Sequence, residues 1–164
     1  MRPLAAVLIM LAMALVPLPA LAQGEVEEPT VRRAIEDVLE LDTGRQAARL
    51  PRVTLDIVTG DLTVVFAMRR PLSDNAAHIV ASATDDVFTI LWAAYASQAS
   101  GHIRTTTVLG TYALVGRYER PREIPLIRAV LSADRAAQMD WTSVASVDPR
   151  EVLDVWWTEG DLAR

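Results

Sequence analysis

Apolar and polar positions recur with two different periods along the chain, and each change of period marks a predicted element. From Thr30 onward, apolar residues follow one face of a helix that Thr43-Gly44 would end; they are Val31, Ile35, Val38 and Leu39. A second helical pattern covers residues 74–100, with Ser73 as its N-cap and Gly101 at its end. Its apolar stripe consists of Ala77, Val80, Ala81, Thr84, Val87, Phe88, Leu91 and Tyr95.

Between these two helices the period falls to two residues, which is typical of β-strands. Residues 53–57 and 62–68 each alternate apolar and polar side chains around Gly60-Asp61. A two-residue turn at Gly60-Asp61 would pair Ile57 with Val64 and Val53 with Met68. This register brings the large apolar side chains of both strands to one face, as a hairpin that covers a core requires.

The second half of the chain predicts a further hairpin, one more strand and two helices. The second hairpin would join residues 103–109 and 112–119 through a turn at Gly110-Thr111, and residues 124–131 read as a fifth strand. A short helix is expected over residues 132–139. Asp148-Pro149 then starts a last helix, on which Val152, Val155 and Trp156 form an apolar stripe.

Together these elements predict an α+β fold. We expect a two-layer sandwich in which an antiparallel sheet of about five strands, two β-hairpins plus one strand, carries helices packed on one face. The residues predicted for its core are Leu55, Ile57, Val64, Phe66, Val87, Leu91 and Leu114.

The first 22 residues have the order of a secretory signal peptide. Arg2 supplies a positive charge, residues 4–16 carry no polar side chain, and Ala20-Leu21-Ala22 is a typical cleavage sequence. We therefore expect residues 1–22 to be removed and residues 23–164 to form a single α+β domain in the periplasm or outside the cell. After cleavage no stable membrane insertion is expected; a retained N-terminal anchor is the alternative.

Composition removes several classes of chemistry. All 16 basic residues are arginine, and there is no cysteine, so lysine Schiff bases, P-loops, thiol nucleophiles and thiolate metal sites are excluded. The formal net charge of −5 and the lack of a basic stripe argue against a nucleic-acid partner. An exported chain without cysteine is more typical of a bacterial envelope or secreted protein than of a eukaryotic secreted domain.

One line of polar residues on the second predicted helix could support catalysis. Asp74 and His78 stand four residues apart, and Ser82 and Asp85 continue the same face. Such a set could bind a divalent metal or act as a general base. Because the apolar stripe lies on the opposite side, we interpret this line as a solvated surface and assign no catalytic, metal or cofactor residue. A small metal-dependent or hydrolytic enzyme using Asp74, His78 and Asp85 remains the alternative.

Two pairs of residues indicate a binding face. The second hairpin would place Arg104 opposite Arg117, and such like charges need an acid, solvent or an anionic partner. Adjacent tryptophans on a helix point about 100° apart, so one of Trp156 and Trp157 should be partly exposed. The sequence therefore favours an exported, soluble, non-enzymatic binding or protein-interaction domain, whose partner is a protein or a small anionic ligand.

The leader makes a direct prediction about the mature protein. We expect cleavage between Ala22 and Gln23, because the small-residue motif directly precedes that bond. Mass spectrometry of the protein recovered from the extracytoplasmic fraction measures the new N-terminus. A product that retains Met1 would contradict the prediction.

Overall fold

The computed structural model describes residues 21–43, 51–68, 76–97, 100–114 and 122–159. In chain order its helices and strands are α1 (Leu21–Thr43), β1 (Arg52–Asp56), β2 (Asp61–Ala67), α2 (Ala76–Ala96), β3 (Thr105–Leu114), β4 (Arg122–Ser132), α3 (Ala133–Ala136), α4 (Pro149–Val152) and β5 (Val155–Thr158). Two 3₁₀ turns, Ser100–His102 and Val144–Ser146, lie between them. None of the described helices is both long and apolar enough to cross a membrane.

The five strands form one sheet in the order β1-β2-β3-β4-β5. Every neighbouring pair is antiparallel except β2 and β3, which run parallel. The predicted α+β class and the sheet of about five strands are thereby confirmed, and the sheet is mostly and not entirely antiparallel; the two-layer packing stays a prediction. The parallel pair was not predicted. Because the two strands run in the same direction, the chain must return after β2 to the end of the sheet at which β2 began. α2 lies in that connection.

Buried residues of the two long helices and of the strands form one hydrophobic cluster. A row of small and branched side chains crosses the strands at Val53, Val64, Val108 and Ala129, and all four are buried. Buried residues of α1 and α2 belong to the same cluster: Val31, Ile35, Leu39, Ala83, Val87, Phe88, Ile90, Leu91, Ala93 and Ala94. The core prediction is confirmed for Leu55, Val64, Phe66, Val87 and Leu91. The side chain of Leu114 lies outside the described part of the chain.

The first hairpin has a longer turn than predicted. Val53 pairs with Val64 and Asp56 with Asp61, so residues 57–60 form the turn. The Asp56 carboxylate accepts hydrogen bonds from the N–H groups of Val58, at 2.9 Å, and Thr59, at 3.3 Å, which lower its pKa. The expected core position of Ile57 is wrong, because the turn leaves this side chain 42% exposed. The other apolar residues keep their face, because the register differs from the prediction by an even number of residues.

The predicted turn at Gly110-Thr111 is wrong. β3 continues through both residues, and Gly110 pairs with Ile127 of β4. Within the described residues Gly60 is the glycine with a positive φ, 76°, whereas Gly110 serves a different purpose. A Cβ atom on Gly110 would lie 3.2 Å from both the Phe66 ring and the Met68 side chain. Glycine therefore makes room for two large core side chains at this position, and the pairing of β3 with β4 continues past it with a shift of register between Gly110 and Thr111.

The C-terminal region corrects a second prediction. The helix start at Asp148 is confirmed, since its carboxylate accepts the Arg150 N–H at 2.9 Å. However, α4 ends at Val152, and the chain continues as β5 over the residues expected on the last helix. Backbone pairing with the free side of β4 outweighs continuation of the helix, and Val155, Trp156 and Trp157 are residue types that favour strands.

Two helix bounds also differ from the prediction. The helix expected from Ser132 to Met139 begins as predicted but ends at Ala136. The first helix begins at Leu21, well before Thr30. Glu28 on this earlier part contacts β1, where its carboxylate accepts the Leu55 N–H. A contact with a strand so distant in sequence cannot be derived from local periodicity.

The turn between β1 and β2 gives a test of the fold. Gly60→Ala should lower the free energy of unfolding by at least about 1–2 kcal/mol, because a left-handed φ opposes a side chain. The new Cβ would also lie 2.7 Å from the His102 carbonyl oxygen. Urea unfolding of this variant should be compared with Gly101→Ala, whose Cβ would meet no atom within 4 Å. Equal losses in the two variants would show that the turn does not constrain the fold.

Candidate functional site

The sheet has a second face that does not contribute to the core, which we call the outer face. One row of directly paired residues on it is Thr54, Thr63, Thr107, Val130 and Val155. The next row is Arg52, Val65, Leu109, Arg128 and Trp157. Every residue of both rows is exposed or half-buried, whereas the intervening positions of β1 to β4 point into the core. The outer face is therefore polar on its β1 side and largely apolar on its β5 side.

The β5 side of this face forms the candidate site. We define the β5 patch as Leu109, Arg128, Val130, Val155 and Trp157. Val155 is 42% exposed and Trp157 is 43% exposed, and they stand directly opposite Val130 and Arg128. The Arg128 side chain is exposed, and within the described residues no acid pairs with it. The patch thus combines two exposed and two half-buried apolar side chains with a guanidinium group with which no described acid pairs.

A different arginine of the outer face is already paired. Arg52 on β1 lies 2.8 Å from Glu123 on β4, measured between Nη2 and Oε2. The two residues belong to strands that are not neighbours in the sheet, and Glu123 lies toward the start of β4, away from Arg128, which shares the row of Arg52. Both side chains are mostly exposed, and the pair contributes little to stability.

Polar contacts hold β5 in place at both ends. At its start, the Asp154 carboxylate accepts the Ser132 N–H at 2.6 Å and contacts the Arg135 guanidinium at 3.4 Å. The Asp154 N–H donates to the Val130 carbonyl at 3.0 Å. At its end, the Glu159 N–H donates to the Leu126 carbonyl at 2.9 Å. These contacts fix the strand that presents Trp157.

The pKa of Asp154 agrees with its role in holding the start of β5. Partial burial alone would raise the pKa of Asp154, but the hydrogen bonds from Ser132 and the charge of Arg135 outweigh it. The net effect lowers the pKa below its ordinary value of 3.8, so the carboxylate is ionised when it accepts these bonds.

The two edges of the sheet are protected to different degrees. On β1, the Val53 carbonyl accepts a hydrogen bond from Arg32 at 3.0 Å, and the Leu55 N–H donates to Glu28 at 3.4 Å. Side chains of α1 therefore occupy one outward main-chain group on each of Val53 and Leu55. On β5, the described part of the chain provides no comparable side-chain contact. As far as the described ranges extend, the edge next to the β5 patch is the open one.

The structure separates the four residues predicted for the binding face. Trp157 belongs to the β5 patch, while Trp156 packs against the core from the opposite side of β5. Partial exposure of one tryptophan is thus confirmed, although strand alternation causes it and not a helix. Arg104 precedes β3, and its N–H donates to the Gly60 carbonyl at 2.8 Å. Arg117 lies outside the described residues, and its expected pairing with Arg104 loses its basis because β3 does not turn at Gly110.

The polar line on α2 does not come together as a described site. His78 and Asp85 are both exposed, Ser82 is half-buried, and Asp74 lies outside the described residues. Among the residues that the structure describes, no group of three or more His, Cys, Asp or Glu side chains could hold a metal ion. Asp86, next to Asp85, is buried, which the periodicity did not predict.

The sequence prediction missed most of the β5 patch. Leu126, Arg128 and Val130 alternate with Ile127, Ala129 and Leu131, so β4 reads as apolar on both faces with one arginine in the middle. That arginine was a visible signal. Val155 was missed because the strong helix start at Asp148 suggested that the helix continued through it.

Comparison with known proteins adds no relative. The chain matches no family model, no curated protein and no solved structure.

The Asp154 contacts predict how stability depends on pH. Because the folded-state pKa lies below 3.8, ionised Asp154 stabilises the fold above that pH, and this contribution is lost as the pH falls through the folded-state pKa. Asp154→Asn should therefore be less stable than the wild type at neutral pH, and the difference should shrink toward pH 2 to 3. Urea unfolding across this range measures it, with Asp134→Asn on the exposed face of α3 as the control. A difference that does not change with pH would contradict an ionic role.

Proposed function

We propose that this chain is an exported, non-enzymatic interaction domain that binds a partner protein through the β5 patch. The observation that carries the proposal is the exposed Trp157 beside Arg128, with which no acid of the described residues pairs, on the outer face. Tryptophan and arginine are the residue types most enriched among those that dominate binding energy at protein interfaces.

The rest of the outer face provides an internal comparison. On the outer face of β1, β2 and β3, the first of the two rows consists of Thr54, Thr63 and Thr107, and these side chains suit contact with water. On β4 and β5 the same row continues as Val130 and Val155. A sheet that served only as a scaffold would not need the change from threonine to valine at one edge. Contiguous exposed apolar surface with polar surroundings is typical of an interaction site.

Arg128 gives the patch its chemical preference. A guanidinium group binds carboxylates through two parallel hydrogen bonds, and the interaction strengthens when water is excluded. Leu109 and Trp157 flank Arg128 on the neighbouring strands and would exclude water once a partner covers them. The patch is therefore suited to a partner surface that combines apolar side chains with an acid.

The sequence of residues 1–22 supports the place of action. Its charge, apolar segment and cleavage motif are those of an export signal, so we place the interaction outside the cytoplasm. The absence of cysteine and lysine from the chain further narrows the covalent chemistry that an enzyme could use here.

Site-specific photo-crosslinking in cells that naturally produce the protein tests the proposal. A benzophenone amino acid in place of Trp157 should give a discrete crosslinked product, because this residue lies in the contact surface. The same replacement of Trp92, which is 47% exposed on α2, is the matched control and should give none. The product should disappear when Arg128→Glu is added and persist with Arg33→Glu, an exposed arginine on α1. Equal labelling from positions 92 and 157, or none from either, would contradict the proposal.

A further inference from the structure

We propose that the partner contributes an extended segment that pairs with the open edge of β5 and places a carboxylate within reach of Arg128. This inference rests on the proposed function and specifies its mode of recognition. The chemical class is a peptide segment in β conformation with alternating apolar side chains and an acidic residue on the face of Trp157. Addition of such a strand to a sheet edge is a recurrent way in which proteins recognise peptides.

The main chain of β5 has hydrogen-bonding groups that point outward. The Glu159 N–H donates to the Leu126 carbonyl, which makes these two residues a hydrogen-bonded pair of the antiparallel ladder. Such pairs alternate along the strands, so Trp157 and Arg128 are the next bonded pair. The N–H and carbonyl groups of Trp156 and Thr158 consequently face away from β4. An added strand would satisfy them.

At the opposite edge of the sheet, side chains of α1 hinder the pairing of β1 with another strand. Arg32 and Glu28 of α1 occupy the Val53 carbonyl and the Leu55 N–H on the outward side of β1. Native sheets commonly block their edges in this way because open edges pair with other chains. Within the described residues β5 has no such cover, and it carries exposed apolar side chains. The contrast points to β5 as the edge that is kept available.

Length and charge then limit the segment that fits. β5 has only four residues, so main-chain pairing alone would hold a peptide weakly, and contacts with Val155 and Trp157 must add to it. Asp154 and Glu159 flank the strand, which disfavours acids at the two ends of the bound segment. Arg128, opposite Trp157, favours an acid near its middle. An added strand would lie about 10 Å from β4, two strand spacings away, which an arginine and an acidic side chain can span together.

The charge pattern favours a different chain over a second copy of this one. The four residues of β5 contain no acid, so a second β5 paired at its centre would bring another tryptophan to the row of Arg128 but no carboxylate. A segment of another protein with a central acid supplies both the strand and the missing charge.

The test uses a phage-displayed library of random peptides of about twelve residues, selected on the full mature chain. Enriched peptides should carry an acid among β-branched or aromatic residues. Their affinity, measured by fluorescence anisotropy, should fall by about tenfold or more on the double variant Arg128→Glu, Trp157→Ser. The matched double variant Arg33→Glu, Trp92→Ser should bind as the wild type does. Both variants change exposed residues, and circular dichroism checks that they fold.

N-methylation of single peptide bonds in the best synthetic peptide then identifies main-chain pairing. Methylation should weaken binding by about tenfold at alternating positions and little at the positions between them, because only every second N–H of an added strand faces β5. This readout changes the peptide alone and leaves the protein intact.

Three results would overturn the inference. One is that no peptide is enriched on the wild type relative to the Arg128→Glu, Trp157→Ser variant. Another is binding without the two-residue periodicity, which would mean docking by side chains alone. The third is a dimer of the wild type in analytical ultracentrifugation that Trp157→Ser dissociates, which would make a second copy the occupant. In each case the crosslink from position 157 decides separately whether the proposed function stands.

Discussion

The parallel pairing of β2 with β3 is the constraint on which the rest of this structure depends. Two neighbouring parallel strands cannot be joined by a tight turn, so the chain must cross a face of the sheet between them. The amphipathic helix α2 lies in that connection, and it packs together with α1 and the buried side chains of the strands. One face of the sheet is thereby committed to the core. The other is left to Thr54, Thr63 and Thr107 on one side and to the β5 patch on the other.

The same asymmetry extends to the edges of the sheet. β1 lies beside α1, whose side chains reach its outward main-chain groups, whereas β5 is placed at the far edge. The last strand is short and is tied down by Asp154 at one end and by Glu159 at the other. An edge that is fixed in position, and that no described side chain covers, is well suited to binding, because little order has to be gained when a partner arrives.

The fold class could be predicted from the sequence because periodicity reports which face of an element is buried. The apolar spacing of α1, the alternation of β1 and β2 and the N-cap at Asp148 all act over a few residues, and all are confirmed. The turn at residues 57–60 was predicted too short, but an even offset leaves the buried face unchanged. The turn predicted at Gly110 was wrong because a glycine can indicate either a bend in the chain or a position where another side chain lies close to the backbone. Here the side chains of Phe66 and Met68, distant in sequence, lie against it.

For the candidate site, the sequence by itself determined the residue types: a tryptophan pair of which one member had to be exposed, and a single arginine within an apolar strand. It also determined the leader pattern on which the proposed export rests, and the lack of lysine and cysteine. Only the tertiary structure decided that Val155 and Trp157 belong to a strand at the edge of the sheet and that they lie opposite Val130 and Arg128. The physical reason is that strand pairing takes its energy from partners distant in the chain. The N-cap at Asp148 predicted a helix through these residues, although Val155, Trp156 and Trp157 favour strands, and pairing with the free side of β4 decided for the strand.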